Sequence, residues 1–310
     1  MWIQSTPVAN TGNLRDVIFS SYDVGRWLAA GGSGAAGSVR LITGLDTGTS
    51  WTNNGGSQPG AASLIVNRIA YLPNTPTYYL ALTNSGLVYS ATGASKAQSW
   101  TARPALSISG QYYDVVQYYS TINSMRCFLL VGSGGKVINC YDDMTGYVAR
   151  TSFFTAAQDI YAANTIGTLL VIAGAGGKIN TYPKFRPADN MVQTARTSQF
   201  GTSNIYDLKI CNGALWAVGA DGKMSYSSNG ADWTAVANTS FEGTAIRGIA
   251  YGVGRYVAVG DGGKIAISTD GANWTQQENT FDGINLRRIA FWKDKFVAVG
   301  DSGKIGYWIP

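Results

Sequence analysis

The segment that decides the fold runs from Arg255 to Thr275 and reads RYVAVGDGGKIAISTDGANWT. A near copy of its first half, KFVAVGDSGKI, begins at Lys295, and a more divergent full copy, ALWAVGADGKMSYSSNGADWT, begins at Ala214. A short apolar stretch precedes each copy, for example RIAF at residues 288–291. A period of about 40 residues in a glycine-rich sequence indicates a repeat fold, in which each repeat is one supersecondary unit.

Weaker copies of the same unit precede these three. They begin near Asp16, Arg68, Asp114 and Asp159, which gives seven units along the chain. We interpret the 310 residues as a single domain. The approximate ranges of the units are 14–53, 66–103, 112–151, 157–197, 204–236, 246–279, and 286–310 together with 1–6.

Each unit reads as four strands. The first is the short apolar stretch and the second is the VAVG segment. The third follows the GGK or DGK turn that recurs along the chain, and the fourth begins at a Trp-Thr pair. Asp-Gly and Gly-Gly pairs supply the positive φ that tight connections need. The second and third strands are almost continuously apolar, as expected for sheets covered on both faces. The sequence therefore predicts an all-β fold, a seven-bladed β-propeller of four-stranded antiparallel blades.

The last unit lacks its fourth strand, because the chain stops at Pro310 soon after the third. The other end of the chain supplies a candidate, since Trp2 lies immediately before the first strand of the first unit. Pairing of this N-terminal segment with the strand that ends near Ile309 closes the ring and removes an exposed edge. A disordered N-terminal tail is the alternative.

The repeat resembles that of sialidase-type and photosystem-assembly-factor-type propellers, which also occur in bacteriophage tail and virion proteins. The segment Ser268 to Trp274 resembles the Asp-box (BNR-type) turn of sialidases, although its Asp and Trp stand one residue closer together. In that family the box is a structural turn remote from catalysis. The resemblance therefore implies a fold and transfers no active site.

Composition excludes several classes of function. The formal charge of +5 comes from basic residues spread along the chain, so it gives little support to nucleic-acid binding. Histidine is absent, and Cys127, Cys140 and Cys211 have no metal-ligand spacing, so we expect buried free thiols and neither metal nor cofactor. The N-terminus does not read as a signal peptide, and no apolar run reaches membrane-spanning length.

An enzyme of the sialidase type needs an arginine cluster, a tyrosine activated by a glutamate, and an aspartate acid/base. Arginines and tyrosines are present, but no motif shows which of them meet. Glutamate is scarce, with Glu242 and Glu278 the conspicuous examples. We therefore predict a protein that is not an enzyme, because a fold alone does not imply an activity.

Lysines follow the turn between the second and third strands in five units, and we predict that they form a partial ring on one face. They are Lys136, Lys178, Lys223, Lys264 and Lys304. Such a ring could attract an anionic glycan or an acidic protein surface. The alternative, which we favour, is that each lysine repeats one packing solution and solvates its charge at the surface.

Charged residues also open the first strand of most units, the strand nearest the axis, and predict a charged channel mouth. They are Asp16, Arg68, Asp114, Asp159, Asp207 and Arg288, with Gly248 in the remaining unit. An excess of carboxylate could hold a hydrated cation. We favour ion pairs between units, because crowded charges are usually paired.

Aromatic side chains outside the repeat positions are candidates for stacking on sugar rings. We select Tyr112, Tyr113 and Tyr119 for this role. Longer outer segments occur at residues 58–62 and 184–198, and insertions in repeat proteins tend to lie on working surfaces. We therefore expect partner contacts at residues 182–195, unless that segment is only a solvated loop.

Taken together, these features favour a non-enzymatic structural or adhesion module. The expected setting is a bacteriophage virion, near the tail, with the protein made in the host cytoplasm. Its expected partners are other virion proteins or a receptor or glycan of the host surface, with several copies in a larger assembly and no membrane insertion. A glycan-binding or sialidase-like propeller, or a bacterial or chloroplast assembly factor, is the alternative.

Overall fold

The computed structural model describes residues 1–5, 12–20, 25–32, 40–44, 50–53, 64–72, 78–92, 100–121, 124–144, 146–150, 154, 158–184, 192–278 and 280–310. Within these ranges the chain forms seven four-stranded antiparallel sheets, numbered blades 1 to 7 in the order of their first strands. Six blades each use one continuous stretch of chain, and blade 7 combines both ends of it.

The strands of blades 1 to 3 are β2 (Asn13–Ser20), β3 (Arg26–Gly32), β4 (Arg40–Gly44), β5 (Trp51–Asn53), β6 (Val66–Leu72), β7 (Tyr78–Thr83), β8 (Val88–Thr92), β9 (Thr101–Ala102), β10 (Tyr112–Tyr119), β11 (Arg126–Gly132), β12 (Val137–Tyr141) and β13 (Val148–Arg150). Those of blades 4 to 6 are β14 (Ile160–Ile166), β15 (Leu169–Gly174), β16 (Ile179–Pro183), β17 (Thr194–Arg196), β18 (Ile205–Cys211), β19 (Ala214–Gly219), β20 (Met224–Ser227), β21 (Thr234–Ala235), β22 (Ile246–Gly252), β23 (Arg255–Gly260), β24 (Ile265–Ser268) and β25 (Thr275–Gln276). Blade 7 contains β26 (Leu286–Trp292), β27 (Lys295–Gly300), β28 (Ile305–Trp308) and β1 (Ile3–Gln4).

The first strands of the blades form a closed inner ring. Each of β2, β6, β10, β14, β18 and β22 contacts the first strand of the next blade, and β26 contacts β2. The fold is thus an all-β propeller of four-stranded antiparallel blades arranged around an axial channel. The described residues contain no helix long and apolar enough to cross a membrane.

The N-terminus completes blade 7, which confirms the predicted closure. Ile3 pairs with Tyr307 and Gln4 pairs with Gly306 across β1 and β28. Trp2 is buried and packs its ring against Phe281 at a centroid distance of 6.1 Å. Closure removes two unpaired strand edges, one at each end of the chain.

A glycine ends the second strand of most blades because two backbones approach closely there. A Cβ at Gly260 would lie 2.1 Å from the carbonyl oxygen of Ala245, and one at Gly300 would lie 2.2 Å from that of Asn285. This approach lets the next amide, that of Asp261, donate to Ala245 O at 3.0 Å. A 3₁₀ turn then leads into the third strand. No residue with a side chain fits this position without moving the backbone.

The hydrophobic core lies between neighbouring blades. Between blades 5 and 6, for example, Trp216 and Val218 pack against Ile249 and Ala258. The Asp-box-like turn of blade 6 joins this cluster, since the Trp274 ring lies 6.2 Å from that of Trp216 in a T-shaped arrangement. The turn therefore forms part of the core between blades 5 and 6.

The three cysteines are free and buried, as the sequence predicted. Burial raises the pKa of Cys127 to about 11 and those of Cys140 and Cys211 to about 12. These thiols therefore remain protonated at neutral pH and act as small apolar side chains.

A β-bulge near the start of every first strand positions the functional site. In β2 the pairing register shifts between Leu14 and Asp16, which leaves Arg15 as the extra residue. The same shift occurs in all seven first strands. A bulge re-aims the side chain of the extra residue. The seven extra residues, which we call the bulge ring, are Arg15, Asn67, Tyr113, Tyr161, Tyr206, Arg247 and Arg287.

Candidate functional site

The bulge ring lines one pocket at the mouth of the axial channel, where the first strands begin. Its cavity has a volume of about 280 Å³, and all seven members of the ring contribute to its wall together with Asn204 and Arg288. Arginine occupies three consecutive blades, numbers 6, 7 and 1, and tyrosine occupies blades 3, 4 and 5. The mouth therefore has a cationic arc and an aromatic arc that face the same cavity.

Two arginines of the cationic arc are held by carboxylates of their own blades. Arg247 donates from Nε and Nη2 to the two oxygens of Asp261, at 2.9 and 2.6 Å. Arg287 makes the same pair of bonds to Asp301, at 2.9 and 2.6 Å. Both carboxylates belong to the 3₁₀ turns of the GDGGK and GDSGK segments. The bidentate geometry fixes the orientation of each guanidinium plane.

Arg15 differs from these two because it has no such carboxylate. Within the described part of the chain it makes no hydrogen bond or ion pair, although it lies in the pocket wall. Partial burial and the charge of Arg287 lower the pKa of Arg15. The guanidinium stays charged, since an arginine pKa starts far above neutrality. The Asp301 carboxylate acts on the pKa of Arg15 in the opposite direction without pairing with it. The mouth thus contains a cation that has no direct carboxylate partner among the described residues.

The aromatic arc is a chain of rings in contact. The Tyr113 and Tyr161 rings lie 5.1 Å apart at an angle of 69°, and the Tyr161 and Tyr206 rings lie 5.7 Å apart at 52°. The arc continues into the cationic one, because the guanidinium of Arg247 lies 4.3 Å from the centre of the Tyr206 ring. Such a wall presents flat apolar faces beside fixed positive charge.

Asp159 supports the aromatic arc and does not join the channel charges, which corrects the sequence prediction. It lies one residue before β14, and Ala162 occupies the channel position of blade 4. Its carboxylate accepts from the Tyr113 hydroxyl at 3.0 Å and from Gly134 N at 2.9 Å. Burial and the neighbouring Asp159 carboxylate raise the pKa of Tyr113, so its hydroxyl remains a donor.

Behind the mouth, the other predicted channel charges meet as the sequence predicted. Arg68 Nε lies 2.6 Å from Asp114 Oδ1, and its Nη1 lies 3.3 Å from Asp16 Oδ1. Arg288 Nη1 lies 2.9 Å from Asp207 Oδ1. These five residues, which we call the plug, occupy the position directly after the bulge. Ion pairing between blades is therefore the arrangement that the structure has.

Backbone amides satisfy the second oxygens of Asp16 and Asp114. Asp16 Oδ2 accepts from Ile69 N at 2.9 Å, and Asp114 Oδ2 accepts from Ala163 N at 3.0 Å. Burial raises the pKa of Asp16, and the charges of Arg68 and Arg288 oppose that rise. The plug contains three carboxylates and two guanidinium groups, all largely buried. Within the described ranges, no group of three or more His, Cys, Asp or Glu side chains is placed to hold a metal ion.

The lysine ring is engaged in hydrogen bonds to its own blades. Lys223 Nζ donates to Phe200 O at 2.9 Å, and Lys264 Nζ donates to Phe241 O at 3.1 Å. The other members are Lys136, bonded to Ser109, Lys304, bonded to Gln4 and Asp282, and Lys178, which also has a partner. The bonds of Lys136, Lys223 and Lys264, and that of Lys304 to Asp282, tie the chain segment that enters a blade to the turn of that blade, which supports the packing interpretation.

The three predicted aromatic contacts do not lie together. Tyr112 is fully buried and donates its hydroxyl to Leu106 O. Tyr119 is exposed at the opposite end of β10, where Arg126 Nε donates to its hydroxyl at 2.7 Å. Tyr113 alone lies in the pocket. Because side chains alternate along a strand, neighbours in sequence such as Tyr112 and Tyr113 point to different places.

Only part of the longer outer segments lies within the described residues. Residues 58–62 lie outside the described residues, as do residues 185–191 of the second segment. In its described part, Tyr182 is buried and donates its hydroxyl to Gln193 Oε1 at 3.1 Å. The predicted partner contacts at residues 182–195 stay a prediction.

The opposite mouth of the channel is lined mainly by aromatic and aliphatic residues. Its pocket, about 400 Å³ in volume, is lined at the ends of the first strands by Phe19, Tyr251, Phe291 and Trp292, among others. The Phe19 and Trp292 rings stack at 4.5 Å. Lys209 also belongs to this wall. The two faces of the propeller therefore differ in chemistry.

No family model matches the sequence, and no curated protein matches it. Solved structures match its fold over the whole chain. YCF48 from Cyanidioschyzon merolae is 16% identical with a TM-score of 0.70, and the match covers 100% of this chain and 98% of that one. YCF48 bound to D1 peptide is 16% identical with a TM-score of 0.69, with coverage of 100% and 94%.

An enzyme has a similar fold as well. Virginiamycin B lyase from Staphylococcus aureus is 12% identical with a TM-score of 0.78, and the match covers 100% of this chain and 98% of that one. Identities at this level show that the chain shares the β-propeller fold of these proteins. They do not assign an activity or a partner to it.

Proposed function

We propose that this β-propeller is a non-enzymatic binding module that uses the bulge ring to hold an anionic group of a partner protein or glycan. The observation that carries the proposal is the guanidinium of Arg15, which has no direct carboxylate partner in the described part of the chain and lies in a pocket beside two further arginines. An exposed cation that its own fold leaves unpaired favours an external anion.

The residue types of the pocket argue for binding and against catalysis. The nine described residues that line it are arginines, tyrosines and asparagines. The nearby Asp159, Asp261 and Asp301 carboxylates already accept two hydrogen bonds or more from named partners. A general base needs a proton acceptor that reaches the substrate, and none lines this wall.

The similar folds are consistent with a binding module. One similar propeller, YCF48, is bound to a D1 peptide, which shows that a propeller of this shape can bind a segment of another protein. Another similar structure is a catalytically inactive virginiamycin B lyase in which a histidine is replaced by alanine. This chain contains no histidine, so that chemistry has no equivalent residue type here.

The biological setting remains part of the proposal. A role as a bacteriophage tail or virion module, binding another virion protein or the host surface, rests on the sequence alone. A role as an assembly factor that holds a peptide of another protein uses the same pocket, and the YCF48 complex supports it by analogy of fold.

The test uses fluorescence anisotropy with a labelled Glu-Tyr repeat peptide and the matching Gln-Tyr peptide, at low and high salt. A triple variant, Arg15→Gln, Arg247→Gln and Arg287→Gln, removes the cationic arc. The matched control removes three exposed cations elsewhere, Lys209→Gln, Arg255→Gln and Lys293→Gln.

We expect saturable binding of the acidic peptide that weakens with salt, disappears in the arc variant and persists in the control. Equal binding by the arc variant and the control would show that net charge, and not this pocket, attracts the anion. Screening of a glycan array and of whole bacterial cells with the same three proteins then identifies the class of partner.

A further inference from the structure

The residues of the bulge ring indicate more about the chemistry of the ligand than that it is an anion. This inference rests on the proposed function. We infer that the bulge ring selects a ligand with a single carboxylate attached to a flat or ring-shaped group, and that the Arg15 guanidinium binds this carboxylate. Three features of the pocket lead to this: its charge balance, the availability of hydrogen-bond donors, and the position of the aromatic arc.

The ion pairs of the mouth leave one guanidinium for a ligand. Arg247 and Arg287 are paired with Asp261 and Asp301, the Asp159 carboxylate accepts from the Tyr113 hydroxyl and Gly134 N, and Arg15 makes no ion pair among the described residues. The plug behind the mouth adds no positive charge, since its three carboxylates exceed its two guanidinium groups. A second negative charge on the ligand would therefore face carboxylates with no free cation to pair with.

The donors that remain are concentrated on one guanidinium. Asp261 and Asp301 occupy the Nε and Nη2 edges of Arg247 and Arg287. Nη1 of Arg287 also lies 3.6 Å from Asp261. Arg15 has the whole of its planar fork available, and this fork matches the two oxygens of a carboxylate.

The aromatic arc lies across the pocket from Arg15 and sets the shape of the rest of the ligand. Its rings, from Tyr113 through Tyr161 to Tyr206, form one continuous wall. A cavity of about 280 Å³ has room for a ring and a carboxylate but not for a larger part of a ligand. A flat or ring-shaped body beside the carboxylate can contact this wall by stacking or edge-to-face packing.

The experiment titrates the full-length protein with benzoate, acetate, benzamide and phenyl phosphate at pH 7.5, followed by chemical-shift changes in protein NMR spectra. These probes vary the ring and the charge one at a time. We expect benzoate to bind about tenfold or more tightly than each of the other three, since the charged bond and the ring contact each contribute.

Two variants separate the contributions. Arg15→Gln is expected to weaken benzoate by about ten- to hundredfold, while Lys209→Gln at the opposite mouth leaves it unchanged. Tyr161→Ala is expected to weaken benzoate and to leave acetate unaffected, because acetate has no ring. The urea unfolding midpoint of each variant shows that it remains folded.

The outcomes distinguish this inference from the proposed function. If phenyl phosphate binds as tightly as benzoate and both need Arg15, selection for a single carboxylate is wrong and the anion-binding module stands. If benzoate binding is indifferent to Arg15 but the acidic peptide still needs the cationic arc, Arg15 is not the anchor. If neither the peptide nor benzoate depends on the arc, the proposed function itself is wrong.

Discussion

The bulge ring and the plug are made from adjacent residues of the same strands, yet they behave differently. In β2, Arg15 belongs to the ring and Asp16 to the plug. The plug residues pair with one another across the channel, whereas Arg15 faces the pocket with no partner among the described residues. The bulge turns one residue of the strand toward the mouth of the channel. It therefore separates the charged residues that stabilise the fold from the charged residue that is available to a ligand.

The largest expected effect is on the plug. We expect Arg68→Met to lower the free energy of unfolding by about 3–5 kcal/mol, because it leaves Asp114 buried without its cation and Asp16 with only Arg288 at 3.8 Å. Urea unfolding measures the change. Arg15→Met in the ring is the matched comparison, with an expected change within about 0.5 kcal/mol. Equal losses in the two variants would mean that the ring and the plug do not differ as described.

The close approach beside the bulge gives the next largest effect. Gly260→Ala is expected to cost about 1–3 kcal/mol, because the added methyl would lie 2.1 Å from Ala245 O. Gly248→Ala, at the plug position of the same blade, is the control, since its methyl would meet Ile289 N at an ordinary 3.4 Å. Thermal unfolding distinguishes the two. A loss in Gly248→Ala as large as in Gly260→Ala would contradict the explanation by close approach.

A smaller effect tests the charge balance of the ring. Asp301→Asn removes the closer carboxylate partner of Arg287, leaving only Asp261 at 3.6 Å, and so raises the positive charge at the mouth. We expect phenyl phosphate to bind about fivefold more tightly to this variant, equivalent to about 1 kcal/mol. The cost to stability should stay below about 1 kcal/mol, because the pair is partly exposed. Unchanged affinity for phenyl phosphate would show that Asp301 does not limit the charge of the ligand.

The smallest effect concerns the turns on the other face. Hydrogen bonds from Asn273, and then from Ala272 N, hold the pKa of Asp270 well below its usual range. Its stabilising contribution is therefore present above the unfolded pKa of about 3.9 and is lost as the pH falls through the folded pKa.

In blade 5 the corresponding acceptor is Asn229, whose amide oxygen takes the same bonds and does not titrate. Asp270→Asn should therefore leave the urea midpoint at pH 7 nearly unchanged and reduce its decline between pH 7 and pH 3. A decline as steep as that of the unaltered protein would assign the acid sensitivity to other carboxylates.

The fold could be predicted from the sequence because the same pattern of strands and turns recurs in several units. The VAVGDGGK segment encodes a buried strand, a glycine for close approach and a turn of positive φ, and each of these follows from local chemistry. The meeting of Asp16, Arg68 and Asp207 could also be predicted, because their spacing places them at one level of the inner strands. Asp159 was placed there wrongly, since it precedes its strand by one residue.

The pocket could not be predicted in the same way. Its signal was present, because each member of the bulge ring follows the first apolar residue of its strand, as Arg15 follows Leu14. In a strand with strictly alternating side chains, this residue would not be expected to point toward the channel mouth. The bulge turns it toward the mouth in every blade. Tyr112 was chosen with Tyr113 as an aromatic residue outside the repeat positions, although it lies in the core.

The sequence by itself determined the four-stranded units, their turns and the completion of blade 7 by the N-terminus, because these depend on residues close in the repeat or on a missing strand. Only the tertiary structure decided which charges are paired. Whether an arginine is neutralised depends on carboxylates in other strands and other blades, such as Asp301 for Arg287 and Asp16 for Arg68. That geometry arises when the ring closes, and it leaves Arg15 as the cation available to a ligand.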